Sequence, residues 1–290
     1  MTTQPLEGKS VAITGAARGI GRAAAIALAE AGAGVIVNDL DAAGAEETVA
    51  AIVDAGGRAQ ALIADISTED GARACIDAAV AAYGRFDVLC ANAGILRDRT
   101  LWNTGEDDFD AVIRTHLRGS FLCGREAARH FRAAENGGSI ILVTSLSGQL
   151  GSFGQTAYAA AKAGITGLVR TWSIELARYG VNVNAIAPMA LTRMVATIPG
   201  MEEHVAAAER GDPVPAELRR DGLGTPADVA PLFVYLASPA AAHITGRSIT
   251  IGGDKLAVWS EPRETETALR DGGWSVETIA GELEALAPAR

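Results

Sequence analysis

The chain is poor in three things that would point to particular partners. Basic residues are outnumbered, 25 Lys and Arg against 35 Asp and Glu for a formal net charge of −10, so no basic face is present to neutralise nucleic-acid phosphates. Cysteines number only three, Cys75, Cys90 and Cys123, odd in count and without a CxxC spacing, which argues against a disulfide framework and against a thiolate metal site. No apolar run approaches the ~20 residues needed to span a bilayer, and no basic-then-apolar leader precedes Ser10-Val11-Ala12-Ile13. These absences predict a soluble, cytoplasmic protein that binds neither nucleic acid nor membrane and holds no metal. Aromatics make up only 5% while 49% of residues are hydrophobic, so the core is expected to be built from Ala, Val, Ile and Leu.

What is present has a regular rhythm. Short β-branched runs at Ser10–Thr14, Gly34–Asn38, Arg58–Ala64, Phe86–Ala91, Ser139–Thr144, Val181–Ala187 and Ser248–Ile251 alternate with Ala-rich amphipathic segments. The helices are expected at about Gly19–Ala31, Ala42–Ala55, Thr68–Tyr83, Glu106–Ala134, Thr156–Tyr179 and Pro226–Ala237. Strands separated by crossover helices predict an α/β fold, a doubly wound sheet of seven parallel strands with helices on both faces. At 290 residues this is one domain, over residues 1–253. Met189 to Gly224, rich in Pro, Gly and charge, reads as a helical lid on hinges. Residues 254–290 form an extension, in which Trp259 and Trp274 suggest docking against a protein surface.

Glycines 15, 19 and 21 fall between the first strand and first helix, in Thr14-Gly15-Ala16-Ala17-Arg18-Gly19-Ile20-Gly21. There the backbone amides and the positive helix end can meet a pyrophosphate that a Cβ would obstruct, making Gly15, Arg18, Gly19, Ile20 and Gly21 the expected dinucleotide turn. Asp39 closes the second strand 18 residues after Gly21, where a carboxylate can accept hydrogen bonds from ribose hydroxyls and repel a 2′-phosphate. NAD is therefore expected rather than NADP, although Arg18 is of a type that could pair with that phosphate. Asp65-Ile66 and Asn92-Ala93-Gly94 sit at the carboxyl ends of the third and fourth strands, where such sheets place ligands. Asp65 is a candidate for the adenine amino group, and Asn92 for bracing the sheet beneath the cofactor.

Tyr158 and Lys162 are four apart on a helix and share a face. An ammonium near the phenol is expected to lower its pKa towards working pH, with Ser145 holding the substrate oxygen while Tyr158 exchanges its proton. Hydride then passes to or from the nicotinamide.

These residues, in this order, resemble the short-chain dehydrogenase/reductase family over about Lys9 to Gly253. The resemblance implies a Rossmann-type fold, a catalytic Ser145, Tyr158 and Lys162, a nicotinamide cofactor also touched by Pro188 and Thr192, and a homotetramer or homodimer formed through the helices near 106–134 and 156–179. Within the family, Val37-Asn38-Asp39-Leu40, Ala93 to Arg99, His116 to Phe121 and Phe153-Gly154-Gln155 are similar to the (3R)-hydroxyacyl-CoA dehydrogenases of multifunctional β-oxidation enzymes and their bacterial relatives. His116 stands where the family commonly has a catalytic Asn, and an imidazole can also donate and accept. Pro188-Met189-Ala190-Leu191-Thr192 lacks the usual Gly after Pro and reaches its Thr one residue early. The expected reaction interconverts a secondary alcohol and a ketone, with a 3-hydroxyacyl thioester such as an acyl-CoA as the first choice of small-molecule substrate. The alternatives are 3-oxoacyl-ACP or -CoA reduction, hydroxysteroid oxidation and, remotely, a catalytically silent NAD-binding module. Arg97 and Arg99 by the cleft, with Arg193, Arg210, Arg219 and Arg220 on or near the lid, are candidate partners for coenzyme A phosphates.

Overall fold

Apolar strands that alternate with amphipathic helices can hide both faces only by stacking as one sheet between two helical layers. The computed structural model, which describes residues 4–286, has that arrangement. In chain order its elements are β1 (Ser10–Thr14), α1 (Gly19–Glu30), β2 (Gly34–Asp39), α2 (Ala42–Asp54), β3 (Arg58–Ile63), α3 (Glu69–Tyr83) and β4 (Val88–Ala91). There follow α4 (Glu106–Ile113), α5 (Gly119–Ala134), β5 (Gly138–Val143), α6 (Leu146–Leu150), α7 (Thr156–Glu175) and β6 (Val181–Pro188). The chain continues through α8 (Glu202–Glu209), α9 (Ala216–Arg220), α10 (Pro226–Ala237), β7 (Ser248–Gly252), β8 (Lys255–Val258) and α11 (Val276–Leu286).

The sheet order is β3-β2-β1-β4-β5-β6-β7-β8. Strands β1 to β7 are parallel, but the expectation of seven strands is one short: β8 folds back antiparallel on β7, pairing Ile249 with Val258 and Gly252 with Lys255. All four β8 residues are exposed, so no buried apolar signature marks it in the sequence. The compact unit accordingly runs to Val258, and Trp259–Arg290 forms a second unit containing α11.

Alternation of side chains along each strand divides the core in two. Val11, Ile13, Val35 and Val37 pack on one face against Leu28 of α1 and Phe233 and Leu236 of α10. Ala12, Ile36, Leu89, Ile140 and Leu142 pack on the other against Ile76 of α3, Leu122 and Phe131 of α5 and Val169 of α7. At roughly 1.5–3 kcal/mol for each large aliphatic side chain taken from water, these two layers are the main force holding the sheet flat between its helices. Edge strand β3 is instead only part-buried, and its apolar alternation is correspondingly weak.

The helix expected over Glu106–Ala134 is interrupted. A π-helical turn, Arg114–Arg118, separates α4 from α5 and carries His116 at its centre. Such turns insert an extra residue into a helix and occur often at functional sites.

The strand order reverses between β1 and β4, since β1 leads to β2 on one side while β4 begins the run on the other. In open α/β sheets such a reversal places ligands above the carboxyl ends of the strands. Thr14, Asp39, Ala91 and Val143 end their strands on that side, which fixes where the site must be.

Candidate active site

The turn from β1 into α1 is set by contact with the end of β4. Gly15 has φ +66°, and a Cβ there would lie 2.6 Å from the Ala93 Cα, so neither conformation nor space admits a side chain. Asn92 locks the turn from below, its Nδ2 donating to the carbonyls of Thr14 (2.9 Å) and Gly15 (3.0 Å). The Thr14 hydroxyl accepts from the amides of Asn92 and Ala93, both at 3.0 Å. Asn92 and Thr14 thus tie the β1–α1 turn to the end of β4.

Gly19, at φ +55°, faces open space, and a Cβ would meet only Thr192 Cγ2 at 3.9 Å. No side chain caps the start of α1 at Arg18, and its first turn contains no acidic residue. A helix start left open and positive beside a glycine cradle fits the pyrophosphate of a dinucleotide. Thr192, far away in sequence, is delivered to this cradle by the chain leaving β6 after Pro188, held there by the Met189 amide donating to the Ile251 carbonyl at 2.9 Å. The Ile20 side chain packs on the core, which leaves its backbone to line the turn.

Asp39 ends β2 with both carboxylate oxygens engaged by local backbone: Oδ2 accepts from the Ala17 amide (3.0 Å) and Oδ1 from the Asp41 amide (3.1 Å). Arg18 is paired with Asp41. Asp65 caps its own turn by accepting from the Ser67 amide (2.9 Å), and Ile66 is buried against α5 at Gly119.

Ser145 follows β5 and caps α6, its Oγ accepting from the Ser147 amide at 3.2 Å. Tyr158 and Lys162 come from α7 and point back to the same strand end. The buried Lys162 ammonium donates to the Val143 carbonyl at 2.6 Å and lies 5.5 Å from the Tyr158 ring centroid. Burial pushes its pKa down to about 7. The expected acidification of Tyr158 is not found in this state. Burial raises the phenol pKa above its usual value, the nearby Ser145 hydroxyl lowers it, and the Asp98 charge raises it again. Proximity along a helix predicted the lysine's effect, but the amine is turned to a backbone carbonyl and desolvation dominates.

His116 closes the group from the π-helical turn. Its ring meets Tyr158 edge-on, centroids 5.2 Å apart at 84°. Nε2 lies 2.7 Å from the Ile95 carbonyl oxygen and 3.0 Å from the Ile95 amide nitrogen. Ile95 thus engages Nε2 through its backbone, while Nδ1 is buried with no hydrogen-bond partner among the described residues. Burial, with the charge of Lys162 adding to it, drives the imidazole pKa down to about 3, so His116 is neutral at working pH. Gly94 makes room for it: a Cβ at that position would fall 2.2 Å from the imidazole Cε1.

Sequence reading missed a second layer. Asp98 and Gln155 came forward only as marks of resemblance and Ser147 not at all, yet Gln155 Nε2 donates to Asp98 Oδ2 (2.9 Å) and Ser147 Oγ donates to Gln155 Oε1 (2.7 Å). Several lid and cleft arginines have carboxylate partners within the chain, among them Arg219 with Asp228 and Asp254, Arg210 with Asp212 and Arg97 with Asp108.

A doubly wound sheet with a glycine cradle at its switch point, and a Ser, Tyr and Lys converging beside it, defines a class of oxidoreductases that act on CH–OH groups with a nicotinamide cofactor. Comparison with known proteins narrows the class. The family model described as Enoyl-(Acyl carrier protein) reductase matches residues 15–253. Hydroxyacyl-CoA dehydrogenase ChsB1 of Mycobacterium tuberculosis is 41% identical over 97% of this chain and 89% of its own. The 3-oxoacyl-[acyl-carrier-protein] reductase FabG of Thermotoga maritima is 37% identical, covering 86% of this chain and 98% of its own, and the (3R)-3-hydroxyacyl-CoA dehydrogenase of Mus musculus is 37% identical, covering 83% and 93%. A short-chain dehydrogenase from Mycobacterium avium superposes with a TM-score of 0.84 at 36% identity, over 98% of this chain and 97% of that one. The chain belongs to the short-chain dehydrogenase/reductase family.

Proposed function

We propose that the protein is an NAD-dependent dehydrogenase that oxidises the secondary alcohol of a 3-hydroxyacyl thioester, such as an acyl-CoA, to the ketone. The observation that carries the reading is the meeting of Ser145, Tyr158 and Lys162 at the end of β5, next to the glycine cradle. The intact trio also argues against a silent binding module. The names of the relatives supply the thioester, and the exposed apolar side chains Leu101 and Trp102 after β4, Leu150 at the end of α6 and Phe153 before α7 offer an acyl chain its wall.

NAD is favoured over NADP by charge. A 2′-phosphate would meet the Asp39 carboxylate, while the one nearby guanidinium of the turn, Arg18, is already satisfied by Asp41. Asp65, Ile66, Asn92, Ala93, Gly94, Pro188 and Thr192 complete the cofactor's surroundings. When bound, the nicotinamide supplies the hydride acceptor. The chain does the rest: Ser145 donates to the substrate oxygen, and Tyr158, once deprotonated, takes the hydroxyl proton as the C–O bond becomes a carbonyl, a step that its raised pKa makes faster with rising pH. Lys162, held by Val143, places positive charge beneath the phenol. His116, neutral and anchored to Ile95, fixes the floor of the site.

The test is a titration of the purified protein with NAD and NADP, followed by turnover on hydroxyacyl thioesters, hydroxysteroids and 3-oxoacyl thioesters. Faster oxidation of hydroxyacyl thioesters with NAD is expected. Preference for NADP, or turnover of hydroxysteroids alone, overturns the respective half of the reading. Tyr158→Phe should lower kcat at least ~100-fold while leaving NAD binding in place.

A further inference from the structure

The loop between β4 and α4 is stitched to the turn that opens α7. The Arg99 amide donates to the Gly154 carbonyl at 2.8 Å, and Arg99 and Gln155 form an isolated parallel bridge. This backbone contact sets Asp98 opposite Gln155, and from there side-chain hydrogen bonds reach Ser147, whose backbone amide meets the site. Gln155 Nε2 donates to Asp98 Oδ2, Ser147 Oγ donates to Gln155 Oε1, and the Ser147 amide donates to Ser145 Oγ. Ser145 sits close enough to Tyr158 to lower the phenol pKa. The direction is set at the first two links, because a carboxylate accepts: Gln155 presents its amide nitrogen to Asp98, hence its oxygen to the Ser147 hydroxyl, which fixes Ser147 and with it the amide that donates to Ser145. With the Ser147 amide occupying a lone pair of Ser145 Oγ, the Ser145 proton is free to point at Tyr158 or a substrate oxygen.

We propose that Asp98 is a positioning residue for proton transfer: through Gln155 it holds Ser147 in place, and the Ser147 amide in turn sets where the Ser145 hydroxyl sits beside Tyr158. The inference rests on the alcohol–ketone reading above. Its second consequence is electrostatic. Four polar side chains face the phenol: Lys162 from α7, His116 from the π-helical turn, Ser145 from the end of β5, and Asp98 from the β4–α4 loop. Helix α4 contributes apolar Val112 and Ile113 there. His116 is neutral, so Asp98 is the anion that disfavours phenolate, and it pushes the Tyr158 pKa upward. Orientation and acidity are thus set from one carboxylate, one of whose oxygens, Oδ1, is buried without a protein donor.

Asp98→Asn retains the shape and an acceptor for Gln155 but removes the charge. In the full-length protein the Tyr158 titration, read as phenolate ultraviolet absorbance against Tyr158→Phe, should move down by roughly half to one pH unit. The rising limb of kcat/KM for alcohol oxidation should move with it. Gln155→Met breaks the chain and leaves the charge in place, so kcat should fall roughly tenfold at unchanged KM for NAD, with no downward movement of the phenol titration. If Gln155→Met does not fold, Ser147→Ala breaks the same chain one link on and is held to the same criterion. An unmoved phenol titration in Asp98→Asn, or a wild-type kcat in the broken-chain variant, overturns the proposal. Absence of turnover by the wild type on hydroxyacyl thioesters would refute the substrate reading alone, since the phenol titration needs no substrate and still decides the role of Asp98.

Discussion

Lys162 is a functional group kept at a cost to the fold. Its folded pKa of about 7 lies below the ordinary value of 10.5, so the folded chain gives up a proton that the unfolded chain retains between those limits. Stability attached to this group is present above the unfolded value, is lost as pH falls to about 7, and stays lost below it. Lys162→Met removes the buried charge at similar volume. It is expected to abolish turnover yet raise the thermal midpoint by a few degrees at about pH 6, with the gain shrinking as the pH approaches 10; parallel melting curves and activity assays check both. Asp39 carries a different expectation. Asp39→Asn keeps an acceptor for the local amides and drops the repulsion of a 2′-phosphate, so the ratio of kcat/KM for NAD over NADP should fall roughly 10- to 100-fold. Ser145, Tyr158, Lys162 and the cradle glycines are legible in the sequence because their chemistry demands particular residue types at particular strand ends. The acidity of Tyr158 is not legible that way, because burial and the direction of the Lys162 amine decide it and neither shows in a four-residue spacing.

Among the elements, the π-helical turn is the least foreseeable. Arg114-Thr115-His116-Leu117-Arg118 contains no Gly or Pro, and its periodicity merges with the helices on either side. What identifies it is tertiary: His116 must turn inward to reach Ile95 and lie against Tyr158. Gly94→Ala puts a methyl group into that imidazole and should cost roughly 1–3 kcal/mol by overpacking, with a fall in kcat beyond what the stability loss explains. Denaturant unfolding alongside kinetics separates the two effects. The Asp98–Gln155 contact was hidden for another reason: its partners are 57 residues apart, and only the pairing of two loops brings them together. Strand β8 escaped because Lys255–Val258 is an exposed edge, held by backbone pairing to β7 and not by burial.

For the whole molecule, the alternation of strands and helices was enough to give the sheet, its two helical layers and the switch point. It gave no view of assembly, since that depends on surfaces and not on cores. We expect a homotetramer or homodimer that uses α5 and α7, on whose outer faces Phe121 and Ile174 are exposed. Light scattering should show it, and Ile174→Glu should shift the population to smaller species; a monomeric wild type would refute this expectation.

The segment from Met189 to Gly224 is pinned at its two stems. Ala190 and Gly224 form a bridge, the Leu191 amide donates to the Gly224 carbonyl at 2.7 Å, and Arg219 bolts the return to Asp228 and Asp254. The same stem anchors what it carries: Thr192, one residue past the Leu191 amide bonded to Gly224, is tethered beside Gly19 of the cradle, so the loop is tied into the dinucleotide turn.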